Sequence, residues 1–393
     1  MERILYFLLV LVSVFYQFTI VSYLSPLLFF SILLLFLSFF RKEKGFVKIS
    51  LLLIIINLVP LLGTVFSALR GQDNFVETSI LTTVHRTAYI LPLAIGFYNL
   101  KVSNKFIVYT FFFVLALLSL VSIVQVIQHY LGLNVFYIPP NHPSFYESMG
   151  TIILDENDKK SFRTSAFFAE PGDLAIYGSI CTILILASYS INSFKKEVLL
   201  AWIFLFIILL TSKGLNAIFA SFISIIYLFR RKIFNPKYLV YLIPAGLFAL
   251  GVLYFLLLDR MDKLLSGEDS SYLVRIGSIL NALNYVLSDF NLILFGSGLG
   301  TNAKVNFIGD VSIKSDYIRL LFDGGVVTVA AYILINCLIF FKRNGSETLR
   351  VFVVYFMSLG LFHDTQALYY LPLFLLIAWK LGLNEKKAIV HNG

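Results

Sequence analysis

"FIVYTFFFVLALLSLVSIVQVIQ", Phe106 to Gln128, decides what kind of chain this is. It carries no charge over a length that, as helix, covers about 35 Å, enough for the ~30 Å hydrocarbon core of a bilayer. Apolar residues dominate it throughout, and its few polar residues are all uncharged. Similar blocks recur along the whole chain and hold most of its 40 Phe. Hydrophobic residues make up 59% of the 393 and charged residues 13%, against roughly 25% charged in soluble domains. The expectation is an all-α polytopic membrane protein.

Working outward from that block, about twelve spans are expected, near 3–21, 23–40, 49–68, 80–99, 106–128, 172–191, 197–211, 214–229, 238–257, 319–341, 348–362 and 365–381. The first lacks a small-residue cleavage site and reads as a retained helix. Basic residues fall on alternate connections: Arg3; Arg41, Lys42, Lys44 and Lys48; Lys101 and Lys105; Lys195 and Lys196. They continue at Arg230, Arg231, Lys232 and Lys237, then Lys342, Arg343 and Arg350, and end at Lys380, Lys386 and Lys387. Positive connections stay inside, which makes this side and both termini cytoplasmic. The net charge of +9 is therefore a topology signal, with nucleic acid not expected as a partner. Cys181 and Cys337 lie inside apolar blocks, so no disulfide framework and no metal site is indicated.

The chain reads as one membrane domain, 1–393, with two long outer connections, 129–171 and 258–318. Connections of that length are often functional. The second holds "YLVRIGSILNALNYVL", with Leu273, Ile276, Ile279, Leu280, Leu283 and Val286 at helical spacing, expected as an amphipathic helix on the outer membrane surface. "LFGSGLG", a Gly-rich turn, follows it.

Ionisable groups gather on the outer side. In "RTSAFFAEPGDLAIYG", Arg163 to Gly178, Pro171 suits the first position of a helix, which makes Glu170 its N-cap and places Asp173 in the first turn. Capping leaves Arg163 unexplained; an arginine before an apolar approach to the membrane suits an anionic head group. His85 and Arg86 fall about two turns into the fourth span, roughly 8 to 10 Å deep, where charge is costly and functional by default. The bland alternative for Arg86 is snorkelling. Lys213 in "TSKGLN" could close a helix before a C-cap Gly214. Arg275 projects from the surface helix, Asp316 and Arg319 could pair along a helix face, and His363 with Asp364 occupies the last outer turn. Cations where negative charge develops stabilise it strongly, and a carboxylate among them can serve as general base.

The order of "RTSAFFAEPGDLAIYG", "TSKG", "VRIGSILNAL", "FGSGLGT" and "SDYIRLLFDGGVVTVAAY" resembles the Wzy-type polymerases of O-antigen and capsular polysaccharide, in the superfamily that includes the O-antigen ligases. The resemblance covers Arg163 to about Tyr332 at motif level. It implies an integral-membrane C-class glycosyltransferase of the bacterial inner membrane, active at the periplasmic face, with no cofactor. Its substrates would be undecaprenyl-pyrophosphate-linked repeat units, and its partners membrane lipids and a chain-length regulator. By the same resemblance Arg163 and Arg275 would contact pyrophosphate, while Lys213, Arg86, Arg319, Asp173 and His363 are expected as further substrate-binding groups from their clustering on the outer side alone. Glu170 or Asp316 would be the base. Asp316 stands where ligases carry a histidine, which favours polymerase over ligase. A flippase, the alternative from another class, would place charge along a central path with short loops on both faces.

Overall fold

The computed structural model describes residues 2–15, 25–39, 49–71, 73–135, 162–168, 170–189, 196–233, 270–301, 313, 315–342, 346–363 and 370–392. Among them the regular structure is entirely helical. The helices are α1 (Glu2–Ser13), α2 (Pro26–Phe39), α3 (Ile49–Leu58), α4 (Leu61–Leu69), α5 (Asp73–Asn99), α6 (Asn104–Tyr130) and α7 (Pro171–Ser188). They continue with α8 (Lys196–Ser212), α9 (Leu215–Ile233), α10 (Ser270–Leu287), α11 (Phe290–Phe295), α12 (Asp316–Phe341), α13 (Glu347–Gly360) and α14 (Leu371–Asn392). The expected span at 238–257, the charges at 41–48, and Lys195, Lys237, Arg343 and Asp364 lie outside the described residues.

Four runs are long and apolar enough to cross a membrane: Phe75–Phe97, Asn104–Tyr130, Pro171–Ser188 and Asp316–Phe341. Outward faces are apolar too. α6 exposes Tyr109, Phe113, Leu120 and Val124, and α8 exposes Leu199, Ile203, Phe206 and Leu210, each set about a helical turn apart or a multiple of it. Contiguous apolar surface of this extent suits hydrocarbon and fits a polytopic membrane protein.

α7 is the hub. It packs on α6, α8, α9, α13 and α14, and between Pro171 and Leu186 every residue except Gly172 is buried. Tyr177 donates from its hydroxyl to the Val10 carbonyl at 3.0 Å, and Tyr355 donates to the Ile176 carbonyl at 3.3 Å, tying α1 and α13 to it. A second, smaller core of Ala282, Val286, Ile313 and Phe322 joins α10 to α12.

Helix ends gather in two sets. At one end Glu2 accepts from the Lys101 amide at 2.7 Å, Arg230 pairs with Glu347, and Arg350 donates to the Phe340 carbonyl at 3.0 Å. At the other end the start of α7 meets the ends of α8 and α13 and the starts of α9 and α14, and the end of α13 meets the start of α12.

Three elements depart from expectation. The span near 49–68 is split into α3 and α4 at Pro60, which cannot donate to the preceding turn. α5 begins at Asp73, earlier than the apolar run, because two polar turns precede it. Arg86 therefore lies about 20 Å along its helix rather than two turns in. The third is α12, broken at Gly325, where φ is 65° and ψ −170°. Tyr317 and Tyr332 have ring centroids 5.7 Å apart, although fifteen residues of straight helix would put them about 22 Å apart. The break folds 316–324 back over 326–341, so the Asp316–Phe341 run reaches spanning length only when counted through it.

Candidate functional site

The segment carrying Arg163 is laid along the end of α8. The last carbonyls of any helix lack intrahelical partners. Here Arg163 donates from Nε to the Ser212 carbonyl at 2.9 Å, and the Thr164 amide donates to the Thr211 carbonyl at 3.0 Å. Lys213 comes next and takes the left-handed conformation, φ 51°. The expected C-cap was Gly214, but the cap position falls on Lys213. Gly214 is used instead for close approach, since a Cβ there would collide with the Ala175 side chain of α7.

Pro171 opens α7 as expected, and Glu170 occupies the N-cap with extended backbone, φ −119° and ψ 139°. Its carbonyl accepts from the amides of Asp173 (3.1 Å) and Leu174 (3.4 Å). Its carboxylate makes no capping bond. The cap position is thus real, but it is the backbone of Glu170, not its half-buried carboxylate, that fills it.

Asp173 is buried in the first turn of α7 and faces His363, with Nε2 3.6 Å from Oδ1. His363 follows α13 in a turn held by Asn216, which donates from Nδ2 to the Phe362 carbonyl at 2.8 Å. Tyr370, at the start of α14, lies near enough for the Asp173 charge to act on its hydroxyl. Arg163, Glu170, Asp173, Lys213 and His363 are thus carried by one set of helix ends.

Asp316 is fully buried at the start of α12. Its carboxylate packs on Gly360, where a Cβ would come within 2.8 Å of Oδ2, and it faces the Tyr332 hydroxyl. Beside it Tyr317 donates from its hydroxyl to the Met357 carbonyl at 3.1 Å. Of the two candidate bases, Glu170 is the more accessible.

Arg86 and Arg319 form a second group around a residue the sequence reading passed over. Asp323, fully buried, lies 3.5 Å from Nε of Arg319, and the charge of Arg86 acts on it as well. The signal was present: an acid four residues after an arginine on one helix face. The Gly-rich turn after α11 completes this group. The break at Gly325 turns the carbonyls of Phe322 and Asp323 toward that turn, where the amides of Ser297 (2.9 Å) and Gly298 (2.8 Å) donate to them. Ser67 of α4 donates to the Ser297 carbonyl at 2.7 Å, and the Leu299 amide donates to Oγ of Ser79 on α5 at 2.9 Å. Non-helical backbone inside an apolar bundle requires such internal partners.

Arg275 belongs to α10, and its side chain lies outside the described residues. α10 forms where expected, but its apolar residues divide between two faces. Ala282 and Val286 pack on Phe322, while Ile276, Leu280 and Leu287 are exposed.

Compared with known proteins, the chain matches no family model, and no curated protein matches it.

Proposed function

We propose that this chain spans a bacterial inner membrane about twelve times, termini in the cytoplasm, and joins polyprenyl-pyrophosphate-linked repeat units at the periplasmic face. The growing chain is the glycosyl donor and a single lipid-linked repeat unit the acceptor. An acceptor hydroxyl oxygen attacks the anomeric carbon, a new C–O bond forms, and the bond to pyrophosphate breaks. Undecaprenyl pyrophosphate leaves with the electron pair, and the hydroxyl proton passes to Glu170. Arg163, with Lys213 beside it, stabilises the leaving charge. Arg275 on α10 and Arg86 and Arg319 around Asp323 extend the positive field at this end. The exposed Ile276, Leu280 and Leu287 seat α10 on the lipid surface.

One observation carries the reading. Glu170 holds the N-cap position of α7 with its backbone and without a side-chain capping bond, at the bundle end where Arg163 is fixed across the terminus of α8. A half-buried carboxylate and an anchored guanidinium there suit proton removal from a hydroxyl and charge stabilisation on a phosphate.

The test is Arg163→Ala at equal membrane level. Long chains should disappear and single repeat units accumulate on the lipid carrier, with Arg163→Lys restoring only part because lysine lacks the bidentate fork. A normal polymer ladder from Arg163→Ala would overturn the assignment. Intact polymer left on the lipid carrier, with none on lipid A core, would point to the ligase reaction instead.

A further inference from the structure

Arg163 sits in a segment whose backbone is held in a costly shape. Ala166, three residues on, has φ 49°, and Lys213, facing Arg163 across the Ser212 contact, has φ 51°. Left-handed backbone at residues other than glycine persists only where surrounding contacts impose it, and such strain collects at functional sites.

The contacts that impose it come from α6. Gln125 is completely buried in the block that otherwise reads as a plain membrane span. Its primary amide grips Ala166 at both backbone atoms: Oε1 accepts from the Ala166 amide at 3.0 Å, and Nε2 donates to the Ala166 carbonyl at 3.3 Å. One turn further along α6, on the same face, the His129 ring stacks on Phe162 at 4.0 Å between centroids with planes 6° apart. These two fixings bracket Arg163. A buried polar side chain in an apolar span carries a desolvation cost, and the two bonds to the backbone of one residue offset it.

We propose that Gln125 and His129 form a clamp that positions Arg163: Gln125 holds the left-handed turn at Ala166, His129 holds Phe162, and together they keep the guanidinium across the α8 terminus. Neither residue contacts substrate. The inference rests on the reading of Arg163 as the pyrophosphate-binding arginine, so its test needs one measurement that does not depend on that reading.

That measurement is a disulfide trap. In a chain with Cys181 and Cys337 replaced by alanine, Thr164→Cys and Thr211→Cys should cross-link on mild oxidation, because their backbones are joined at 3.0 Å. Gln125→Leu, and separately Gln125→Met, which keeps more of the side-chain length, should slow the cross-link about tenfold or more. A trap unchanged in both variants overturns the clamp. The functional half uses undecaprenyl pyrophosphate as probe, bound to the purified full chain in lipid nanodiscs. Gln125→Met should weaken binding about tenfold while the protein stays folded by circular dichroism, and should cause no further loss in an Arg163→Ala background, since both act through one guanidinium. Equal binding by Gln125→Met and the parent chain overturns the positioning role even if the trap is lost. A parent chain that does not bind the probe, with the trap still lost in the Gln125 variants, refutes the pyrophosphate reading while supporting the clamp.

Discussion

Replacing Gly325 by alanine tests the broken helix, and neighbouring glycines supply the scale. At Gly325 two costs add. The backbone lies at φ 65°, ψ −170°, a region an L side chain enters at about 1 to 3 kcal/mol. A Cβ there would also collide with the carbonyl group of Leu294 and the amide nitrogen of Phe295, and overpacking against backbone costs a further ~1 to 3 kcal/mol. The sum is about 2 to 6 kcal/mol. Gly71 isolates the first cost, since its φ is 70° but a Cβ would meet nothing within 4 Å, so Gly71→Ala should lose about 1 kcal/mol. Gly277 has neither burden and lies inside α10, where alanine should gain up to ~1 kcal/mol from helix propensity. Chemical unfolding of the three purified variants in mixed micelles, followed by circular dichroism, gives the ranking. Gly325→Ala no less stable than Gly71→Ala would refute the insertion of the Gly-rich turn into the break of α12.

Three further outcomes follow from the site. If Glu170 is the base, Glu170→Gln and Glu170→Asn should both lose the polymer ladder at equal membrane level, although Asn is a good cap residue; a full ladder from either, with none from Asp316→Asn, would transfer the role to Asp316. Asp323→Leu removes the carboxylate that Arg319 and Arg86 face and should destabilise the protein by roughly 3 kcal/mol, with Arg319→Leu added in the same chain recovering part of the loss; unfolding of the single and double variants decides. Single cysteines at Leu131 and Lys342 in a cysteine-free chain should react with an impermeant thiol reagent from opposite sides, Leu131 from the periplasm, and labelling of Lys342→Cys alone in intact cells would reverse the topology.

What the sequence discloses here follows how local each cause is. The helices α6, α7 and α8 were legible because an unbroken apolar block depends on nothing outside itself. So was the start of α7, since a proline at the first helical position carries its own reason. The break in α12 was not legible. "DGGVV" reads as helix with two weak residues, and only the insertion of Leu294 and Phe295, far off in sequence, fixes the turn at Gly325. The cap fell on Lys213 instead of Gly214, and Gly214 serves the close approach of Ala175 on another helix, which the local sequence does not disclose. In the site, the members Arg163, Glu170, Asp173 and His363 could be named from charge in an apolar chain, but not their grouping. Gln125 escaped notice as one amide among apolar neighbours, although a buried polar side chain at membrane depth must find partners, and that alone marked it.

The burial of α7 on nearly every side has a consequence for biogenesis. Its run is less apolar than that of α6, and its inner faces carry Ser179, Thr182 and the hydroxyl of Tyr177 among small residues. Of the helices that surround it, α1 and α6 precede it on the ribosome, whereas α8, α9, α13 and α14 are synthesised later. A nascent chain ending just past Ser188 would present to lipid a helix shaped for protein neighbours, with Asp173 at its mouth. The packing of α7 is thus completed only by segments made after it, α8 and α9 first and α13 and α14 last.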